Sequence, residues 1–194
     1  AKGYAKLVLN LLEQWVQDND ILPLQQTGFR PYGGTIDNAI VLAYLAFQAD
    51  RPSQRPLCCC LVDYKAAFDN VDRQILWQKL SRWGTPTCLL TALKSLYSNT
   101  WVQVKLSHPY VTLEIETSSG LKQGCVLAPL LFNLYTADLC VALKGAGMLI
   151  PKIGGCKIQM LQYADDLVIL DNTKVGLQRA LDALEIYKKI IASK

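Results

Sequence analysis

The chain alternates between two apolar spacings, one of about 3.6 residues and one of two. Lys6 to Val16 places apolar side chains at 7, 8, 9, 11, 12, 15 and 16, one face of a helix, and Asp18-Asn19-Asp20 ends it. Gln25 to Gly34 holds three glycines and a proline without a period, and reads as a loop or irregular hairpin. Thr35 or Asp37 is placed to cap a second helix through Ile40, Leu42, Leu45 and Phe47, which Arg51-Pro52-Ser53 breaks. Leu57 to Val62 is a continuous apolar run, the pattern of a buried central strand. Asp72 opens an amphipathic helix through Ile75, Leu76 and Leu80 that Gly84 closes, and another follows Pro86 as far as Tyr97.

Strict alternation then appears twice. Val102, Val104 and Leu106 share one face, as do Val111, Leu113 and Ile115, with His108-Pro109 between them: a hairpin in which His108 is a turn residue. Gly120 to Gly124 is a loop, and Ala128 to Leu143 an apolar helix. Cys156 to Tyr163 and Leu167 to Leu170 read as strands joined at Ala164-Asp165-Asp166. Thr173 caps a last helix with apolar positions 177, 180, 181, 184 and 187. Strands and helices in this order predict an α+β fold with an antiparallel sheet.

Composition narrows the picture. With 194 residues, 51% of them hydrophobic, the chain can bury the core of one domain or of two closely packed subdomains. Its longest apolar run, Ala39 to Phe47, is too short to span a bilayer, and no basic-plus-apolar leader opens it, so a soluble protein without a membrane partner is expected. The first residue is Ala1 and the only methionines are Met148 and Met160, which suggests an excised domain. Seven cysteines without a C-x-x-C pair, three of them consecutive, read as reduced thiols of an intracellular protein rather than zinc ligands. The net charge of +4 is a weak pointer to a polyanion, and the surplus arises entirely beyond Leu57.

Candidate chemistry lies in the acids. Asp165-Asp166 at a strand junction is by itself a turn signal, yet tight hairpin turns favour Asn-Gly or Asp-Gly and here a second acid replaces the glycine. Two carboxylates about 4 Å apart repel by roughly 4 kcal/mol at an effective dielectric of about 20, which a divalent cation would offset. Asp63 ends the apolar run Leu57 to Val62 in the same manner. Asp72 is accounted for as a helix cap, and Asp69 leans toward a structural role. One acid at a strand end and a pair in a later hairpin suit Mg²⁺, which takes few carboxylates together with waters and substrate phosphates. Two such ions about 3.5–4 Å apart serve phosphoryl or nucleotidyl transfer.

Four motifs in order then carry a resemblance: Gln26-Thr27-Gly28-Phe29-Arg30 with Thr35 and Asp37; Val62-Asp63-Tyr64-Lys65-Ala66-Ala67-Phe68-Asp69; Gly120-Leu121-Lys122-Gln123-Gly124-Cys125; and Tyr163-Ala164-Asp165-Asp166. Over nearly the whole chain the sequence resembles the reverse transcriptase domain of non-LTR (LINE-type) retrotransposons. The resemblance implies a right-hand polymerase fold: partial fingers in 1–56 and palm in 57–194, with finger or palm elements around 84–119. It implies an RNA-directed DNA polymerase, with RNA template, DNA primer and deoxynucleoside triphosphates as partners. It further implies two Mg²⁺ ions, with Mn²⁺ as a substitute, held by Asp63, Asp165, Asp166 and the Tyr64 carbonyl. Amides at Ala67 and Phe68 would receive the triphosphate, Phe68 would gate against a ribose 2′-hydroxyl, and Gln123 and Gly124 would border the nascent base pair. Arg30 and Lys122 would contact nucleic acid.

Relatives often carry proline at Val126 and serine at Ala128. A first fingers strand before Ala1, and further palm motifs and the thumb after Lys194, are expected to be missing, with self-association of the exposed piece as a consequence. An intracellular site, nuclear or cytoplasmic, follows if the source is a eukaryotic retroelement. Two rival readings stand beside the main one: a non-catalytic descendant that binds RNA or acts as a scaffold, and a group II intron maturase-type polymerase.

Overall fold

A computed structural model describes residues 2–30, 33–102 and 115–192. The long helices form where the apolar period predicts them. α1 (Lys2–Asp18) buries Ala5, Val8, Leu9, Leu12 and Val16, a single face. α3 (Arg73–Arg82) starts at Asp72, whose carboxylate accepts from the Gln74 and Ile75 amides, and Gly84 follows its end at φ 78°. α4 (Thr87–Tyr97) begins directly after Pro86. Together with α5 (Ala128–Thr136) these helices enclose one apolar core, in which Leu12, Leu76, Leu80, Leu93 and Leu131 are fully buried.

The second half of the molecule is a sheet between helices. β1 (Cys58–Val62), β7 (Asp166–Asp171) and β6 (Met160–Tyr163) form an antiparallel sheet in the order β1-β7-β6. Cys60, Ile169 and Met160 lie in register across one face; Ile169 and Met160 together with Leu167 meet α6 (Leu139–Lys144) and α7 (Lys174–Ala192). Leu161 and Leu170 on the other face meet Leu45, Val41 and Leu42 of α2 (Thr35–Ala49). Two short antiparallel pairs complete the fold: β2 (Trp101–Val102) with β3 (Ile115–Glu116), and β4 (Lys152–Ile153) with β5 (Cys156–Lys157). The α+β expectation therefore holds. The predicted hairpin survives as the paired ends β2 and β3; its remaining positions, His108 among them, lie outside the described residues.

Three local expectations are corrected. β1 is not the central strand: among the described residues it pairs only with β7, and Leu61 is 78% exposed because α2 lies over β6 instead. The apolar stretch Ala128 to Leu143 is two helices, interrupted at Ala137-Asp138. There the Asp138 carboxylate accepts from the Lys79 ammonium at 2.6 Å and from the Tyr187 hydroxyl, tying the break to α3 and α7. Finally, neither Thr35 nor Asp37 is the N-cap of α2: Gly34 is, and Asp37 reaches back from the first turn to accept its amide at 2.8 Å.

Lys79 is buried, which lowers its pKa by desolvation, against the opposing pull of Asp138. It also donates to the Tyr135 carbonyl at 2.6 Å. Asp138→Ala strands that ammonium, and because the carboxylate itself is partly open to solvent the expected cost is about 1–2 kcal/mol of unfolding free energy. A urea melt reads it, and an unchanged midpoint would refute the tie.

Candidate active site

The acids take their positions from the sheet register. Val62 pairs with Leu167 as the last rung of the β1–β7 ladder, so Asp63 and Asp166 leave the same end of two adjacent strands. Tyr163 pairs with Asp166, which leaves Ala164-Asp165 as a two-residue turn between β6 and β7. The positive φ that such a turn demands falls on Ala164, at 55°, where glycine would be relaxed. Asp63 and Asp166 are exposed and Asp165 is partly buried. Among the described residues none of the three accepts a side-chain hydrogen bond, and the ion pairs, Lys79–Asp138 and Lys189–Glu185, lie elsewhere.

The register thus gathers three carboxylates without an ion-pair partner among the described residues at one end of the sheet. Among the described residues no three His, Cys, Asp or Glu side chains close into a cage. The donor set still fits a hard divalent ion, which needs one or two carboxylates when phosphates and waters complete its shell.

A buried amide network holds the acidic turn, and sequence reasoning did not single it out. Gln162 is fully buried, and its amide nitrogen donates to the Ala164 carbonyl at 3.0 Å and to Thr136 Oγ1 at 3.2 Å. The Gln26 side chain accepts the Gly28 amide at 2.9 Å and reaches the same Ala164 carbonyl at 3.5 Å. Asn133 donates to the Gly28 carbonyl at 2.7 Å. Backbone bonds from Thr27 to Gln162 and from Gln162 to Gln25, both 2.9 Å, lay the Gln26–Arg30 loop alongside β6. The signal available in the sequence was a lone amide in each of two apolar segments, Gln162 and Asn133.

The second wall follows Asp63. Ala66 takes φ 50°, and its carbonyl accepts the Asp69 and Asn70 amides at 3.1 and 3.0 Å, so residues 65–70 curl into tight turns. Ala67 and Phe68 sit half-buried at its inner side. The Phe68 ring stacks on Phe132 with centroids 4.8 Å apart, and Tyr64 meets Phe132 edge-on at 6.5 Å. The Tyr64 hydroxyl is buried without a partner among the described residues, and burial pushes its pKa up to about 12. The folded state binds the phenolic proton more tightly than the unfolded chain, so this contribution is complete below about pH 10 and is lost as pH rises through about 12. Tyr64→Phe removes an unsatisfied hydroxyl; we expect equal or higher stability, by up to about 1 kcal/mol, and a shallower loss above pH 10 in melts across that range. A clearly less stable variant would show that the hydroxyl is satisfied.

Gln123 donates to the Asp69 carboxylate at 3.2 Å, which brings two of the motifs together. Gly124 has φ 75° with open space where a Cβ would stand. The other two predicted contacts bond to carbonyls of the protein, Lys122 from an exposed position and Arg30 from a partly buried one. Lys122 donates to the Leu96 carbonyl at 2.6 Å and lies over the Tyr97 ring, closing the end of α4. Arg30 donates to the carbonyls of Pro23 and Gln26 at 3.0 and 3.4 Å and braces its own loop. Arg73, buried in α3, also holds this region and carried no signal in the sequence.

Comparison with known proteins agrees with this arrangement. Residues 1–189 match the family described as reverse transcriptase (RNA-dependent DNA polymerase). The chain is 29% identical over 176 residues to a retrovirus-related Pol polyprotein from the type-1 retrotransposable element R2 of Nasonia vitripennis, covering 90% of this chain and 17% of the relative. It is 27% identical to the Pol polyprotein of the type-2 element R2DM of Drosophila melanogaster, over 88% of this chain and 16% of that one. It therefore spans about a sixth of these relatives' length. An apo telomerase from Candida tropicalis, truncated from its C-terminal domain, shares the fold with a TM-score of 0.64 at 13% identity, over 92% of this chain and 37% of that one. No helix among the described residues is long and apolar enough to cross a membrane. With the motifs in place and the match running from end to end, the chain belongs to the reverse transcriptase (RNA-dependent DNA polymerase) family and is similar to the domains of non-LTR, LINE-type elements.

Proposed function

We propose that this domain is the core of an RNA-directed DNA polymerase that extends a DNA primer on an RNA template, with deoxynucleoside triphosphates as substrates. The observation that carries the reading is the shared sheet end of Asp63 and Asp166 beside the Ala164-Asp165 turn, with Phe68 and Gln123 on the adjoining wall. Asp63 and Asp165 would hold divalent ions, with Asp166 beside them and the Tyr64 carbonyl on the nucleotide side; Mg²⁺ is the natural occupant and Mn²⁺ its substitute. The chemistry such ions would supply there is neutralisation of phosphate charge and activation of the primer 3′-hydroxyl. The chain's own part is positioning: the amide network fixes the acidic turn, the 65–70 turns offer amides to the triphosphate, and the Phe68 ring stands where a 2′-hydroxyl would crowd it. Residues 1–56 serve as fingers and 57–194 as palm in this reading. Exposed Ile36, Phe47 and Leu61 support self-association of the isolated domain.

Primer extension on RNA by the whole protein, with dNTP or rNTP and with or without Mg²⁺, tests it. Metal-dependent incorporation of dNTP over rNTP is expected. RNA binding without incorporation would overturn the reading in favour of a binding module.

A further inference from the structure

The 117–124 loop carries Gln123 and Gly124, yet little of it belongs to regular structure. One side chain from another element holds it. The Arg73 guanidinium, 7% exposed, donates from Nε to the Gly120 carbonyl at 2.6 Å and from Nη2 to the Ser119 carbonyl at 2.8 Å. Its Nη1 reaches the Thr117 carbonyl at 2.9 Å, Thr100 Oγ1 at 2.7 Å and the Tyr97 carbonyl at 3.2 Å. The ring of Tyr97 lies beneath the cation at 5.3 Å. Among the described residues no acid pairs with it; its partners are backbone and hydroxyl oxygens. A planar fork with five N–H groups can satisfy that set, and an ammonium on a flexible stem cannot.

The loop so held is pressed onto the segment after Asp63. Gly120 donates to the Val71 carbonyl and Leu121 to the Phe68 carbonyl, each at 2.8 Å. A Cβ on Gly120 would stand 2.9 Å from the Asp69 carbonyl oxygen, so the two backbones are in contact. Gln123 then meets Asp69, next in the chain to Phe68, so the place of Gln123 on that wall depends on where Arg73 seats the loop.

We propose that Arg73 is a positioning residue for the incoming nucleotide: it sets where Gln123 stands against the Phe68–Asp69 segment, and through that placement nucleotide affinity and sugar discrimination. The inference rests on the polymerase reading above. Arg73→Lys keeps the charge and loses the fork. We expect the KM for dNTP to rise about 10-fold and dNTP-over-rNTP preference to fall several-fold, with kcat at saturation changed by less than about 2-fold, since the metal-binding acids are untouched. Thr100→Val removes one acceptor of Arg73 together with that hydroxyl's own bonds to the Thr117 carbonyl at 2.7 Å and hydroxyl at 3.1 Å, and should shift the same two quantities in the same direction by a smaller factor; it carries the test if Arg73→Lys fails to fold. Hydrogen exchange supplies a readout independent of catalysis: the Gly120 and Leu121 amides should lose protection in either variant while those of α1 do not. Wild-type protein that extends no primer would remove the polymerase reading. Unchanged exchange at Gly120 and Leu121, or an unchanged KM and sugar preference in active protein, would overturn the role of Arg73.

Discussion

Asp165→Asn should lower primer extension by the whole protein about 10³-fold or more, a loss of several kcal/mol in transition-state stabilisation. Asparagine keeps the shape of the side chain and removes the charge. The carboxylate accepts no side-chain hydrogen bond among the described residues and forms no ion pair, so its removal breaks nothing in the folded protein. It also relieves repulsion with Asp166 next to it along the turn. Without metal, the variant should therefore melt within about 0.5 kcal/mol of wild type or slightly above it. With Mg²⁺ added, wild type should gain stability from binding and the variant should gain less. Asp63→Asn is expected to behave alike, and Asp166→Asn to lose less activity, as the acid assigned an assisting part. Primer extension and paired melts with and without Mg²⁺ measure this, and near-wild-type extension by Asp165→Asn would sink the assignment.

The parts of this site that were legible in the sequence are those set by local rules. Asp72, Pro86 and Thr173 announce helix starts, and the structure puts helices there. Asp63 and Asp165-Asp166 stand out because acids terminate apolar strands without a glycine turn to explain them. The misplacements share a different cause. The break at Ala137-Asp138 is decided by Lys79, nearly sixty residues away, and the edge position of β1 by which strand α2 covers. Neither leaves a period in the local pattern. The amide network is hidden for the same reason, since Gln26, Asn133 and Gln162 meet only in the folded chain. Lys122 and Arg30 carry a further role that the motif does not announce: each donates to carbonyls of the protein itself.

Gly28→Ala tests whether that network is what aims the acids. A Cβ at Gly28 would stand 2.3 Å from the Ala164 nitrogen and 3.0 Å from the Tyr163 carbonyl carbon, and both are backbone of the acidic turn. A flexible side chain could swing away; a two-residue turn already at positive φ cannot without moving Asp165. Either the turn shifts, or the loop retreats and breaks the 2.9 Å bonds between Thr27 and Gln162 and between Gln162 and Gln25. Overpacking of this kind costs about 1–3 kcal/mol. A displacement of about 1 Å at the reacting groups should cost a further 10²-fold in extension. Gly3→Ala is the control, because beyond its own turn of helix nothing lies within 4 Å of the added methyl and it sits in α1, where alanine is the better helix former. It should leave extension unchanged and raise the melting midpoint slightly. The two losses at Gly28 also separate its role from that of Asp165: the aspartate variant keeps its fold and loses chemistry, whereas the glycine variant must lose both together. A Gly28→Ala protein that melts and extends like wild type would show that the loop does not seat the turn.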